Sequence, residues 1–187
     1  DIYGTAMSST DLPSSNLKDN KDIVIDTTAP SATITAIKYN NKGGVSEDQG
    51  IITFTGTNFD TLNVANGASV KEYLDWTKLK WNVDYGYTSA AEVSFAATDI
   101  STAVVTSPTV LTVTLTSTKK DSLEKTAGFA AVKQTDSTSS ADRIEVTDGF
   151  IRDHAKNSSD TDGVNTASDS AVTLTFQDTT APTITSF

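Results

Sequence analysis

A loop near the end of the chain carries oxygen-bearing side chains at the spacing of a calcium site. The candidate ligands in the sequence SSDTDGVNTASD are Ser158, Asp160, Asp162, the backbone carbonyl of Val164, and Asp169. Gly163 lies where calcium-binding loops make a sharp turn. Ser in the first position and Asp in the last differ from the usual Asp and Glu, and a turn whose side chains bond their own backbone is the alternative. Calcium is therefore a candidate cofactor, and both a calcium site and a plain turn remain open interpretations of this loop.

Aromatic residues form a second candidate site in the middle of the chain, at Tyr73, Trp76, Trp81, Tyr85 and Tyr87. Such residues can stack on sugar rings, but more often they fill the core between two sheets. Trp81 alternates with apolar residues, as a core residue does. Tyr85 and Tyr87 lie in the turn-like sequence DYGYTS, which makes them the candidate glycan-binding residues.

Catalytic patterns are weak in this sequence. His154 is the only histidine, so any Ser–His pair must use it, and it lies in a polar loop beside Asp153. The sequence contains no G-x-S-x-G motif, P-loop or Rossmann fingerprint. A self-made isopeptide bond between Lys38 and Asn157 would need an apolar pocket and a nearby carboxylate that the sequence does not identify. We therefore predict that the protein is not an enzyme.

The composition excludes several classes of partner. The net charge is −10, whereas nucleic acids and anionic lipid surfaces require basic patches. The sequence contains no cysteine, which excludes disulfides and thiolate metal sites. No apolar run approaches the roughly 20 residues that a membrane-spanning helix needs.

Short segments of alternating apolar and polar residues recur along the chain and predict strands. In KLKWNVDY, Leu79, Trp81 and Val83 share one face, and TVLTVTLTS likewise places Leu111, Val113 and Leu115 on the inner face. Only KKDSLEKTAG resembles a helix, with Ser117 or Thr118 as its N-cap and Gly128 just past its end. Many short strands with one short helix predict an all-β fold, an Ig-like antiparallel β-sandwich.

The sequence DTTAP occurs twice, near the two ends of the chain. Its linker residues are Asp26 and Pro30 in one copy, and Asp178 and Pro182 in the other. Proline fixes its own φ and restricts the residue before it, so both copies should form stiff joints. We predict that residues 1–26 are the terminal strand and loop of a preceding repeat, or an exchanged strand. Residues 27–177 are then one complete domain, and residues 178–187 are a linker and the start of the next repeat.

The sequence DHAKN at residues 153–157, together with the DTTAP joints, resembles the tandem bacterial Ig-like repeats of very large surface proteins and adhesins. The corresponding loop of that family often reads D-x-A-G-N, so Lys156 stands at the glycine position. The resemblance implies a tandem-repeat array on the cell surface with a load-bearing or spacing role. Its partners would be neighbouring repeats of the same chain.

These observations predict a structural repeat of an extracellular protein, such as an adhesin stalk, a surface layer or a filament, stiffened by calcium if the candidate loop binds it. Two alternatives remain open at this point. The chain could be a filament subunit that assembles with copies of itself by strand exchange. It could also be a glycan-binding module that uses Tyr85 and Tyr87.

Overall fold

The computed structural model describes residues 26–42, 49–62, 67–83, 91–129, 142–160, 163–165 and 173–178. The strands are β1 (Thr33–Lys42), β2 (Gln49–Thr57), β3 (Leu79–Val83), β4 (Ala91–Ser94), β5 (Ile100–Ser107), β6 (Val110–Leu115), β7 (Arg143–Val146), β8 (Val164–Asn165) and β9 (Thr173–Asp178). One α-helix, α1 (Ser117–Glu124), follows β6. Short 3-10 helices cover Phe59–Leu62, Trp76–Lys78 and Ala97–Asp99.

The strands form two sheets whose apolar faces share one core. The first sheet has the order β5-β6-β2-β1-β9, and the second has the order β4-β3-β7-β8. The ring of Tyr39 from the first sheet contacts Trp81 from the second edge-on, with centroids 5.2 Å apart. The prediction of an all-β sandwich with one short helix is confirmed.

One strand pair differs from the antiparallel arrangement that we predicted. β1 and β9 are parallel, from Ala36 opposite Thr173 to Asn41 opposite Asp178. The other pairings among the described strands are antiparallel. Two parallel strands need a connection that brings the chain back to the end of the sheet where the first strand began. Here the strands between β1 and β9 form that connection.

The alternation of apolar residues places the core where the sequence predicted it. Six inward positions are fully or almost fully buried: Leu79, Trp81, Val83, Leu111, Val113 and Leu115. In β1 the alternation breaks, because Ile34 and Ile37 are both buried although they are three positions apart. The register of β1 against β2 shifts between Ile34 and Ala36, which marks a β-bulge at Thr35. The bulge changes which side chains of β1 face the core.

Gly56 of β2 allows this bulge to form. It pairs with Ile34, and a Cβ atom added to Gly56 would collide with the backbone oxygen of Thr33. The amide of Gly56 donates to the carbonyl of Thr109 at 3.0 Å. Only glycine lets the two backbones approach this closely.

Helix α1 begins one or two residues before the position that the sequence suggested. The N-cap is Thr116, whose hydroxyl accepts a hydrogen bond from the amide of Lys119 at 3.3 Å, so the prediction of Ser117 or Thr118 is wrong. Gly128 lies beyond the end of the helix, with a φ of 85°. Among the described residues, no helix has the length and apolarity needed to cross a membrane.

Candidate functional site at the N-terminal joint

The first DTTAP sequence packs against the sandwich just before β1. Within these residues 26–30, which we call the incoming segment, Pro30 is buried and the three residues before it are exposed. The carboxylate of Asp26 accepts a hydrogen bond from the amide of Thr28 at 2.9 Å, which forms a local turn. The incoming segment is therefore held by both its own turn and the body of the sandwich.

Asn157 joins the incoming segment to the loop at residues 153–157. Its side-chain Nδ2 donates to the carbonyl oxygens of Asp26 at 3.0 Å and Thr28 at 3.3 Å. The same nitrogen lies 2.9 Å from Oδ2 of Asp153. Two hydrogens are thus shared among three oxygens, and we call this arrangement the Asn157 clasp.

Asp153 holds Asn157 in place from within the loop. Its side chain is buried, and Oδ1 accepts a hydrogen bond from the backbone amide of Asn157 at 2.9 Å. The backbone amide of Asp153 donates to the carbonyl of Asn157 at 3.1 Å. The amide of His154 donates to the carbonyl of Leu62 at 3.2 Å, which fixes the loop to the sandwich. The first and last residues of the DHAKN sequence are therefore structural.

Lys156 adopts a backbone conformation that favours glycine, with a φ of 72°. This is the position where the resembled family often carries glycine. The side chain of Lys156 makes two contacts. Its Nζ donates to the carbonyl of Glu72 at 2.6 Å and lies 4.8 Å from the centroid of the Tyr73 ring. These contacts offset part of the cost of the left-handed backbone.

An ion pair anchors Arg152, the residue just before the 153–157 loop. Nη2 of Arg152 lies 2.6 Å from Oδ2 of Asp75, and the hydroxyl of Thr77 donates to Oδ1 of Asp75 at 2.6 Å. The Thr77 hydrogen bond, with help from the Arg152 charge, holds the pKa of Asp75 below its ordinary value of 3.8 despite partial burial. Asp75 is therefore ionised over the physiological pH range and remains paired with Arg152.

The last described strand ends at the opposite end of the first sheet from the incoming segment. Because β9 runs parallel to β1, its last residue Asp178 lies beside Asn41, near the end of β1. The incoming segment lies before the start of β1, at Thr33. Asp178, the first residue of the second DTTAP sequence, therefore lies at the opposite end of the first sheet from the incoming segment. Residues 179–182, including Pro182, lie outside the described residues.

The candidate calcium loop is only partly within the described structure. Ser158 is half-buried and Asp160 is exposed, while Asp162 and Asp169 lie outside the described residues. The amide of Gly163 donates to Oδ1 of Asp148 at 2.9 Å, just before Val164 begins β8. In the described part of the chain, no three His, Cys, Asp or Glu side chains are grouped to hold a metal ion.

Two of the five aromatic candidates belong to the core. Trp76 and Trp81 are buried, and each indole nitrogen has a partner: Trp76 donates to the carbonyl of Lys71 at 3.0 Å, and Trp81 donates to Oδ2 of Asp142 at 2.7 Å. The glycan-binding candidates Tyr85 and Tyr87 lie outside the described residues.

A polar cluster that the sequence did not single out lies between β1 and α1. Lys120 is buried, and its Nζ lies 3.0 Å from Oε2 of Glu124. Oε2 also accepts a hydrogen bond from Nδ2 of Asn41 at 3.1 Å. The spacing of Lys120 and Glu124 resembles an ordinary surface ion pair on a helix, so only the burial of Lys120 distinguishes this cluster. By contrast, Lys38 is exposed and Asn157 is engaged in the clasp.

In comparisons with known proteins, no family model, curated protein or solved structure matches the chain.

Proposed function

We propose that this chain carries a structural module of a tandem Ig-like array in an extracellular surface protein, where it spaces or bears load between neighbouring repeats. The observation that supports the proposal is the parallel pairing of β1 with β9. This pairing brings the chain in at one pole and out at the other. Modules connected in this way form an extended row, whereas modules whose two ends share a pole would fold back on each other.

The Asn157 clasp supports a stiff joint between modules. It binds two carbonyl groups of the incoming segment to the domain that follows them. Because the sequence DTTAP is repeated at residues 178–182, a following repeat with the same loop would bind that copy in the same way. A joint that is bound at short range restricts the angle between neighbours more than a free linker does.

The strand arrangement also suits tension along the long axis. A force that pulls on residue 26 and on residue 178 in opposite directions slides β1 along β9. Six residue pairs lie between Ala36 and Asn41 in this parallel ladder, and sliding loads their hydrogen bonds together. Peeling a strand from one end loads them one after another and requires less force.

Single-molecule force measurements test this proposal. We expect a higher unfolding force when the chain is pulled through residues 26 and 178 than when it is pulled through residues 26 and 57. Thr57 pairs with Thr33 at the same pole as the incoming segment, so the second geometry peels β1 from β2. An equal or lower force in the end-to-end geometry would contradict a load-bearing role.

A filament subunit that assembles by strand exchange is a second candidate. Among the described strands, β9 pairs with β1 alone, and in this alternative a strand from another copy pairs with its other edge. We expect this alternative to produce concentration-dependent oligomers in size-exclusion chromatography with light scattering, and to lose them when residues 1–25 are deleted. A monomer at all concentrations would exclude it.

Calcium remains a proposed stabiliser of the module. If the loop at residues 158–169 binds it, adding calcium at about 100 times its dissociation constant would stabilise the fold by about 2.7 kcal/mol. EDTA should then lower the melting temperature, and the double variant Asp160→Ala, Asp162→Ala should be insensitive to EDTA. An unchanged melting temperature of the unmodified protein in EDTA would discard the calcium proposal.

A further inference from the structure

Lys120 is an unusual residue for the inner side of a short helix. Its side chain is 7% exposed, although lysine is almost never buried without a partner. Nζ lies 3.0 Å from Oε2 of Glu124, one helical turn further along α1. The Glu124 side chain is 18% exposed, so solvent screens this pair only weakly.

The same carboxylate also binds a carboxamide on a different element. Nδ2 of Asn41, near the end of β1, donates to Oε2 of Glu124 at 3.1 Å. The hydroxyl of Tyr39 donates to the other oxygen, Oε1, at 2.6 Å. A single carboxylate oxygen therefore contacts both the amine of Lys120 and the amide group of Asn41.

Tyr39 and Gly50 border this cluster. The ring of Tyr39 contacts the edges of Trp81 at 5.2 Å and Phe129 at 5.6 Å, measured between centroids. Gly50 lies opposite Asn41 in the β1–β2 ladder, and a Cβ added there would lie 3.2 Å from Cγ of Lys120. The absence of a side chain at Gly50 leaves room for the lysine, and both Tyr39 and Lys120 are buried from water.

We propose that Lys120 and Asn41 form an intramolecular isopeptide bond, with Glu124 as the proton carrier. An amine, a carboxamide and a bridging carboxylate in a largely apolar setting are the groups that this amide exchange requires. Glu124 contacts the nitrogen that must lose a proton and the nitrogen that must gain one. No metal, oxidant or further reactant is needed.

The reaction balances with the groups in place. Lys120 transfers a proton from its ammonium group to Glu124, and the free amine attacks Cγ of Asn41. The Nζ–Cγ bond forms and the Cγ–Nδ2 bond breaks, while Glu124 returns the proton to the departing nitrogen. The products are a secondary amide between the two side chains and one ammonia, which leaves as ammonium after taking up the second proton of the lysine.

The bond would join the end of β1 to α1 and close a loop through the intervening strands. Cross-links of this kind restrict the unfolded chain, and a load applied at the two ends could not extend the residues between Asn41 and Lys120. The inference rests on the geometry of the cluster and is independent of the proposed function as a surface-protein module.

Intact mass spectrometry of the purified protein tests the bond directly. We expect a mass lower than that of the sequence by one ammonia, and a proteolytic fragment in which the peptide of residue 41 is joined to the peptide of residue 120. A protein with the full sequence mass would overturn the proposal. So would an ammonia loss without the joined peptides, because cyclisation of an asparagine on its own backbone also releases ammonia.

Three variants identify the reacting groups. Lys120→Arg keeps the charge but removes the nucleophile, and Glu124→Gln removes the proton carrier, so both should have their full sequence masses. Lys125→Arg is the matched control, because Lys125 forms an exposed pair with Asp121 on the same helix and should leave the ammonia loss unchanged. An ammonia loss that persists in Lys120→Arg would contradict the assignment. The wild-type mass decides the proposal even if a variant fails to fold.

Discussion

The side-chain amide of Asn157 binds oxygens from two separate segments of the chain. Its Nδ2 contacts the carbonyls of Asp26 and Thr28 and the carboxylate of Asp153. These bonds connect the incoming segment to a loop that is itself fixed to the sandwich. One side chain therefore ties the incoming segment to the body of the sandwich.

Removing this side chain should loosen the joint without destroying the core. We expect Asn157→Ala to lower the free energy of unfolding by about 1–3 kcal/mol, because the buried carboxylate of Asp153 and the half-buried carbonyl of Asp26 lose their partner. Urea denaturation measures this change. Ala155→Ser in the same exposed loop is the control and should change stability by less than about 0.5 kcal/mol. Equal effects of the two substitutions would contradict the clasp.

The left-handed backbone at Lys156 has its own measurable cost. Lys156→Ala and Lys156→Gly both remove the contacts with Glu72 and Tyr73, but only glycine adopts a positive φ without strain. We expect the glycine variant to be more stable than the alanine variant by about 1 kcal/mol. Thermal denaturation of the two proteins measures the difference. An alanine variant of equal or greater stability would show that the φ of 72° is not the native conformation.

At the level of the elements, the bulge in β1 depends on Gly56 in β2. Gly56→Ala would place a methyl group against the backbone oxygen of Thr33, so the two strands would have to separate. We expect a loss of about 1–3 kcal/mol in chemical denaturation, as in other overpacked cores. Thr55→Ala, an exposed change at the neighbouring position, should cost less than about 1 kcal/mol. A Gly56→Ala variant as stable as the unmodified protein would contradict the close approach of Gly56 to the backbone of Thr33.

The strands also show which structural features sequence patterns are enough to predict. The inward faces of β3 and β6 follow from strict alternation, and the structure confirms both. The bulge at Thr35 was not predictable, because it depends on how closely β2 approaches. The helix cap was misplaced because Thr116, Ser117 and Thr118 all carry a hydroxyl group, and only backbone geometry shows that Thr116 is the capping residue.

The candidate sites were harder to predict from the sequence than the strands were. The sequence of the DHAKN loop drew attention through a resemblance that stays a prediction, and its binding of residues 26–30 depends on a contact across most of the chain length. The Lys120 cluster gave no signal, since a lysine and a glutamate one helical turn apart are common on exposed helices. Burial against Tyr39 and Asn41 is a property of the folded chain alone.

At the scale of the whole molecule, the direction of β9 decides how the modules of the proposed array would be connected. An antiparallel β9 would end beside the incoming segment, and both joints would then share one pole. The parallel arrangement instead separates them by most of the length of β1, which is 10 residues long. This separation is the property on which the proposed row of modules depends, and alternation of residues along β9 carries no information about it.

A distance between the two joints tests the central claim most directly. The chain has no native cysteine, so spin labels at Thr28→Cys and Asp178→Cys can be placed without further changes. At about 3.3 Å per strand residue, we expect pulsed electron paramagnetic resonance to give about 30 Å or more. A label pair at Thr28→Cys and Ala155→Cys, both at the N-terminal pole, should give a clearly shorter distance. A separation between residues 28 and 178 as short as that of the control pair would contradict the account.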